Sequence, residues 1–405
     1  MAQEIEHYLT YQHNVQQFFR NHSEKYNGVI IPLSIATSFP TGTYGFIRAL
    51  CSKHKHKYAI DPRTPLFQRD WDRKNVRPPH EKMAQVLGEA FAEKGLKTKL
   101  NADDFSTKSS SKQITENCIN FQIGFKTRAE DSRKLKKYKM LLGISELEDL
   151  SDPQFLIPPY FLFSSLADKW YEISINCIEH AINMNLKIPI QPILHFNIFN
   201  NWPAVVETLK KYGITACWLY PDCYMEHDED TNSLKNFKNI VNSTASQKIK
   251  PYMLFGGYYS VLMQYFGLSG FANGIGYGEW RSSNYHRGGT AMTRIYILKL
   301  HRYLDAPTAQ HIIEQDSEGY FVSDSKLLMG CVSTGRKLTG LSPIECLNHF
   351  MECRSKEISF VATNNISKAI DELNNTCKYL NKIGPLESEK FGSSLLKWIS
   401  ALSQK

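Results

Sequence analysis

The sequence predicts an α/β protein: a (β/α)8 TIM-barrel-like domain with a long early insertion and a C-terminal helical extension. Two observations carry that prediction. From Asp152 onward, apolar runs of strand length alternate with helix-patterned segments, which is the mark of repeated βα units around a parallel sheet. The stretch from Lys250 to Arg302 then reads as a complete βαβ unit: a strand from Pro251 to Phe255, a turn at Gly256 and Gly257, a short helix from Tyr258 to Phe266, and a strand from Gly270 to Tyr277. Its exit loop begins Gly278-Glu279-Trp280-Arg281 and continues rich in glycine, arginine and histidine. Parallel folds gather their chemistry on loops of this kind, after the carboxyl ends of strands.

Taken in order, the elements follow from spacing. Ile5, Tyr8, Leu9, Val15, Phe18 and Phe19 recur close to helical periodicity, which predicts a helix over 4–20. Gly28 to Ser34 is the first strand, Phe46 to Cys51 a short helix, and the basic tract Lys53 to Lys57 leads into a second strand that ends on Asp61. The insertion occupies about 68–150. Within it Glu81 to Lys94 is patterned as a helix closed by Gly95, whereas Asn101 to Gln113 is polar and predicts a mobile loop. Further strands start near Gln154, Ile188, Ile214, Lys250 and Gly270, and the eighth is expected near Gly319 to Val322 or Leu327 to Cys331. A doubly wound open sheet is the alternative. After Gly340 the chain is helical, with Ser342 and Glu345 spaced as a capping box. The division is a barrel domain over 1–330 and a helical extension over 331–405.

Composition narrows the class. A chain of 405 residues, 42% hydrophobic, buries a full core, which excludes disorder. The amino terminus lacks an apolar signal segment and no long apolar run occurs, so a cytoplasmic protein with no membrane association is expected. Nine cysteines without paired spacings read as a reduced set rather than a disulfide framework. The formal charge is +8, and residues 62–140 hold 18 Lys and Arg against 10 Asp and Glu, a difference equal to the whole excess. Such a segment suits a polyanionic partner, or is a solvated, lysine-rich decoration.

The strand ends present Asp61, His195, Asp222 and Glu279, with Tyr220 and Tyr277 beside them. In a barrel these converge on one mouth, where paired carboxylates serve as nucleophile and acid or base. Asp61 also reads as an Asx-turn residue before Pro62, and His195, between Leu194 and Phe196, as a core histidine. The small and cationic neighbours of Glu279 (Gly276, Gly278 and Arg281) predict an ionised carboxylate. Met225 to Asp230 has metal-ligand residue types, although an acidic surface loop is the simpler reading. No cofactor and no metal are expected, since no phosphate-binding loop is present and GFANGIG is too loose for a dinucleotide fingerprint. Arg281, His286, Arg287, Arg294, His301 and Arg302 suit phosphate contacts, and Trp280 and Tyr285 suit stacking on an unpaired base.

Three segments carry a family resemblance. KPYMLFGG followed by GFANGIGYGEWRSSNYHRGG, AIDPRTPLFQ with Asp61, Phe67 and Gln68, and HFMECRSKEI with His349, Phe350, Arg354 and Glu357 together resemble the tRNA-guanine transglycosylases across most of the chain. The resemblance implies a barrel that takes nucleic acid, tRNA or DNA, and works at the N-glycosidic bond of a nucleobase. Asp61, Glu279 and Asp222 are then the catalytic candidates, and Gln68, His195, Tyr277, Arg281, His286 and Arg287 the substrate-binding ones. The chain departs from the family twice. Gly270 to Ile275 holds no aspartate where the family keeps its nucleophile, so Glu279 is the nearest acid. Cys331 is followed by Ser333 and Arg336 rather than by the family's zinc thiols, which leaves Cys331, Cys346, His349 and Cys353 as the set for a rearranged site. A non-catalytic nucleic-acid-binding barrel and an unrelated barrel hydrolase of a small phosphorylated or sugar substrate are the rival readings.

Overall fold

The computed structural model describes residues 5–69, 78–105, 107–127, 132–143, 145–197, 201–275, 279 and 293–403. Eight parallel strands form one curled sheet: β1 (Glu6–Thr10), β2 (Gly28–Pro32), β3 (Lys57–Asp61), β4 (Leu162–Phe163), β5 (Ile193–Phe196), β6 (Ala216–Pro221), β7 (Lys250–Leu254) and β8 (Gly270–Asn273). Their order is β3-β2-β1-β8-β7-β6-β5-β4, so sequence neighbours pair all the way round through β1 and β8. That is the order of a TIM-barrel-like fold, as the alternation of βα units predicts.

The eighth strand is not where the sequence reading sought it. Gly319 to Val322 is turn, and Leu327 to Cys331 lies inside a helix; the missing strand is Glu6–Thr10, at the chain's start. Ile5, Tyr8 and Leu9 mimic helical spacing because both faces of a barrel strand are buried, one in the lumen and one under helices, so alternation disappears. Tyr8 lies opposite Gly28 on one side and Ala272 on the other. A Cβ at Gly28 would come 2.8 Å from the Tyr8 ring, and one at Gly270 would come 2.6 Å from the Tyr252 ring. Small residues here make room for Tyr8, Trp218, Tyr252 and Phe155, which fill the lumen as a core of their own. Glu6 closes the amino-terminal end, accepting from Tyr8 Oη at 2.7 Å, Lys57 Nζ at 3.2 Å and Tyr252 Oη at 3.4 Å.

Between β3 and β4 the ladder is replaced by a seam. Gln154 N donates to the Tyr58 carbonyl at 2.8 Å, and further up the side chains of Thr64 and Gln68 take over as partners of Tyr160 and Leu162. The strand expected to start near Gln154, over QFLIPPYFLF, is therefore short. Two adjacent prolines, Pro158 and Pro159, remove the donors a longer ladder needs, so only a bridge at Leu156 and the pair Leu162–Phe163 remain.

Helices cover the outside. α1 (Gln16–Asn21), α2 (Leu33–Ser38) and α3 (Pro40–His54) come first, and the insertion adds α4 (Pro78–Leu87), α5 (Lys108–Gly124) and α6 (Ser132–Leu142). The described residues of 101–113 are not a mobile loop: a 3-10 turn, Ala102–Phe105, buries Phe105 against Phe91, Phe161 and Trp170, and Thr107 caps α5. The expected helix from Glu81 to Lys94 breaks at Gly88, whose φ of 118° suits glycine. The regular layer continues with α7 (Lys169–Asn183), α8 (Trp202–Lys211), α9 (Thr231–Ser246) and α10 (Tyr258–Leu262).

Beyond the sheet, β9 (Arg294–Ile297) and β10 (Arg302–Asp305) form an antiparallel hairpin, followed by α11 (Ala306–Gln315) and α12 (Lys326–Thr334). The extension comprises α13 (Pro343–Thr363), α14 (Ile366–Ile383), the single turn α15 (Pro385–Glu387) and α16 (Ser393–Ser403), and Ser342 and Glu345 do form the capping box. It is bound into the barrel, since Trp398 on α16 donates to the Glu226 carbonyl at 2.7 Å. Among the described residues no helix is long and apolar enough to cross a membrane.

Candidate functional site

The carboxyl ends of β3, β5 and β6 bring Asp61, His195 and Asp222 together. Asp61 is fully buried, and its Oδ1 accepts from the Arg63 amide at 3.0 Å, which is the Asx turn, and from Tyr160 Oη at 2.8 Å. Its Oδ2 takes the Arg63 Nε at 3.1 Å. Arg63 itself stands at φ 51°, in the left-handed region, so the turn holds its guanidinium back over the acid that precedes it.

His195 is opposite Tyr220 in the ladder, and the two rings stack with centroids 3.9 Å apart. Its Nε2 faces Asp222 Oδ1 at 3.0 Å, while Nδ1 has no hydrogen-bond partner among the described residues. Burial lowers its pKa; the Asp222 bond and charge pull the other way, and Arg69 adds to the lowering. The histidine is neutral at pH 7 in consequence. A half-open cavity beside it is lined by Asp61, Arg63, Pro65, Leu66, Arg69, Tyr160, Tyr220 and Phe255, with a volume of about 20 Å³. The thiol of Cys223 is exposed at this edge, 3.3 Å from Asp222 Oδ2.

Glu279 does not share that cavity. It lines another, with Met225, Glu226, His227, Asp228, Gly257, Arg302 and Tyr303. Its carboxylate pairs with Arg354 of α13, a fully buried arginine that also meets Glu357 at 2.9 Å. Glu357 in turn accepts from Tyr296 Oη at 2.9 Å and faces His301 Nδ1 at 2.7 Å. Burial pushes the Glu279 carboxyl up to about 8; the Arg354 charge opposes this, and Glu226 and Glu357 add to it. Desolvation thus works against the ionised carboxylate expected from the sequence, and the Arg354 cation works for it. Burial lowers Arg354 too, but the surrounding Glu357, Tyr296 and Glu279 outweigh it and hold the guanidinium charged.

Sequence reasoning placed Glu226 in an acidic surface loop, and the structure buries it. It accepts from the Gly257, Tyr259 and Ser260 amides at 2.8 to 3.1 Å and from the Ser260 hydroxyl. The loop after β7, where barrels commonly hold a phosphate, is here filled by the chain's own carboxylate. A Cβ on Gly257 would lie 2.7 Å from Glu226 Oε2 and 3.5 Å from the Glu279 carboxyl carbon, so the two acids flank that glycine. The only sequence signal was the acidic run Met225 to Asp230, which charge alone marks as surface.

Gln68 is occupied by the seam: its Oε1 accepts from Leu162 N at 2.6 Å and its Nε2 donates to the Leu162 carbonyl at 3.0 Å. Tyr277, Arg281, His286 and Arg287 lie outside the described residues, as do Trp280 and Tyr285. Among the described residues no group of three or more His, Cys, Asp or Glu is placed to hold a metal ion. His349 Nε2 meets the Tyr296 carbonyl at 2.8 Å and Cys353 Sγ at 3.6 Å, which accounts for that nitrogen without a metal. A further cavity, about 220 Å³, lies between Tyr258, His301, Lys356, Phe360 and Glu372. No protein-family model matches the chain, and no curated protein matches it.

Proposed function

We propose that the barrel mouth binds a nucleobase of a nucleic acid and acts at its N-glycosidic bond, in the manner of a transglycosylase. The observation that supports this is the convergence of Asp61 and two arginines on one aromatic-walled cavity, with the His195–Asp222 pair behind Tyr220, the lining ring on which His195 stacks. As the bond from the anomeric carbon to nitrogen breaks, its electron pair leaves with the base, and the Asp61 carboxylate meets the positive charge on the sugar. Arg63 and Arg69 offset the charge on the departing base. Water or a replacement base then bonds to the anomeric carbon and gives its proton to neutral His195, whose imidazolium Asp222 balances. The cavity's 20 Å³ holds one water-sized group, so a base enters with displacement of the arginine side chains.

A second reading, a non-catalytic binding barrel, is favoured by the occupation of both Asp61 oxygens by Arg63 and Tyr160. One assay separates the two. Single-stranded DNA and RNA carrying labelled bases are incubated with the protein, and release or exchange of base is followed. The transglycosylase reading expects turnover that falls about 10²-fold or more in Asp61→Asn. Oligonucleotide binding without base release or exchange sinks it in favour of the second.

A further inference from the structure

We infer that the rim beside β1 and β2 is the docking surface for a single-stranded nucleic acid, with phosphates on α6 and one unpaired base on the His13–Phe39 ring pair. This rests on the proposed reading of the mouth as a nucleobase site, and names the track by which a strand reaches it. α6 carries Arg133, Lys134, Lys136, Lys137 and Lys139 in eleven residues and no acid. Arg133, Lys136 and Lys137 are exposed. Tyr138, on the inner side, is buried edge-on against Phe46 at 5.8 Å and donates to the Gly42 carbonyl at 3.2 Å. Gly42 is in the first turn of α3, so this anchor holds the flanking lysines at that end of the helix.

The same end presents aromatic surface. Phe39 joins α2 to α3, is 45% exposed, and stacks on exposed His13 with centroids 4.3 Å apart at 22°. His13 follows β1 by three residues, which places the pair at the carboxyl side of the sheet, the side of Asp61. Rings left in water contribute little to a core, but they offer a π-face to any base, and stacking on such a face tolerates all sequences. Of the acids that follow α6, Asp149 is taken by Arg48 of α3 at 2.8 Å. Charge complementarity selects a polyanion, and stacked rings one turn from the anchor select a nucleic acid over a bare polyphosphate or an anionic lipid surface.

The test uses the full chain and a fluorescein-labelled single strand, as DNA and as RNA, with anisotropy read at several salt concentrations. Reversing Arg133, Lys136 and Lys137 to Glu is expected to weaken binding at least tenfold at low salt. It should also flatten the slope of log K against log salt by about 2, since each lost single-strand phosphate contact removes about 0.7. Phe39→Ala is expected to weaken binding about tenfold with the slope unchanged. Wild-type binding that ignores salt, or a charge-reversed protein of unchanged melting temperature that binds as before, overturns the inference. So does tighter binding to anionic phospholipid vesicles than to either oligonucleotide. Wild-type protein that binds the strand with the expected salt slope while no base is ever released or exchanged leaves the docking surface standing and removes the glycosidic reading. Base release from a free nucleoside, with strand binding indifferent to α6, does the reverse.

Discussion

The Asp61 carboxylate answers two requirements at once, because its bond from the Arg63 amide shapes the turn while those from Tyr160 and the Arg63 guanidinium belong to the cavity. Substitution separates them. Asp61→Asn keeps an oxygen for the amide and loses the charge, so stability should fall by roughly 1.5–3 kcal/mol, the range for a charged hydrogen bond, and Asp61→Ala should fall further. Chemical denaturation of both variants checks the order, and equal losses would show that the turn bond contributes nothing. At Glu279 the prediction concerns pH. Its folded pKa of about 8 exceeds the value of 4.5 for an unperturbed carboxyl, so the folded state holds the proton more tightly. The stabilising contribution is complete below about pH 4.5 and is lost as pH rises through 8. Glu279→Gln fixes the neutral form, and its melting temperature should decline less than wild type between pH 5 and 9. Parallel curves for the two proteins would refute the shift.

Among the elements, the βαβ unit at β7 and β8 was legible as two apolar runs set off by glycine turns, and the capping box at Ser342 by its spacing. β1 was not, because burial on both sides erases the alternation that marks a strand, and Ile5, Tyr8 and Leu9 then match a helix equally well. β4 was overdrawn for the opposite reason: its apolar run is long, yet Pro158 and Pro159 interrupt hydrogen bonding. What holds the seam instead is side-chain amide and hydroxyl chemistry, which no periodicity records. Gln68→Ala strips partners from the Leu162 amide and carbonyl together, and a loss of roughly 1–3 kcal/mol per buried unsatisfied group follows. Hydrogen exchange should show faster opening at Leu162 and Phe163 than at β6. Unchanged protection there would mean that water replaces the glutamine at no cost.

On the scale of the whole molecule, strand-end residues close in the sheet were found from the sequence, and pairings across distant segments were not. Asp61, His195 and Asp222 follow from counting strands; Glu226 and Arg354 do not, because an acidic run and a helix arginine acquire meaning only when α13 packs over β9 and α10. Arg354 is the joint between barrel and extension: it pairs with Glu279 after β8 and Glu357 on α13, and sits 5.4 to 5.8 Å from the ring centroids of Phe271, Tyr296 and Phe350. Methionine preserves much of that packing and removes the cation. Arg354→Met should therefore cost about 3–5 kcal/mol, chiefly because buried Glu357 is left without its counter-charge. Removing that orphaned charge as well, with Glu357→Gln, should return part of the loss, so the double variant is more stable than Arg354→Met alone. Such a coupling identifies a charge network whose members act as a unit, and chemical denaturation of the four proteins of the cycle measures it. Strictly additive losses would instead assign Arg354 to packing against its three rings, with the ion pairs contributing nothing to the joint.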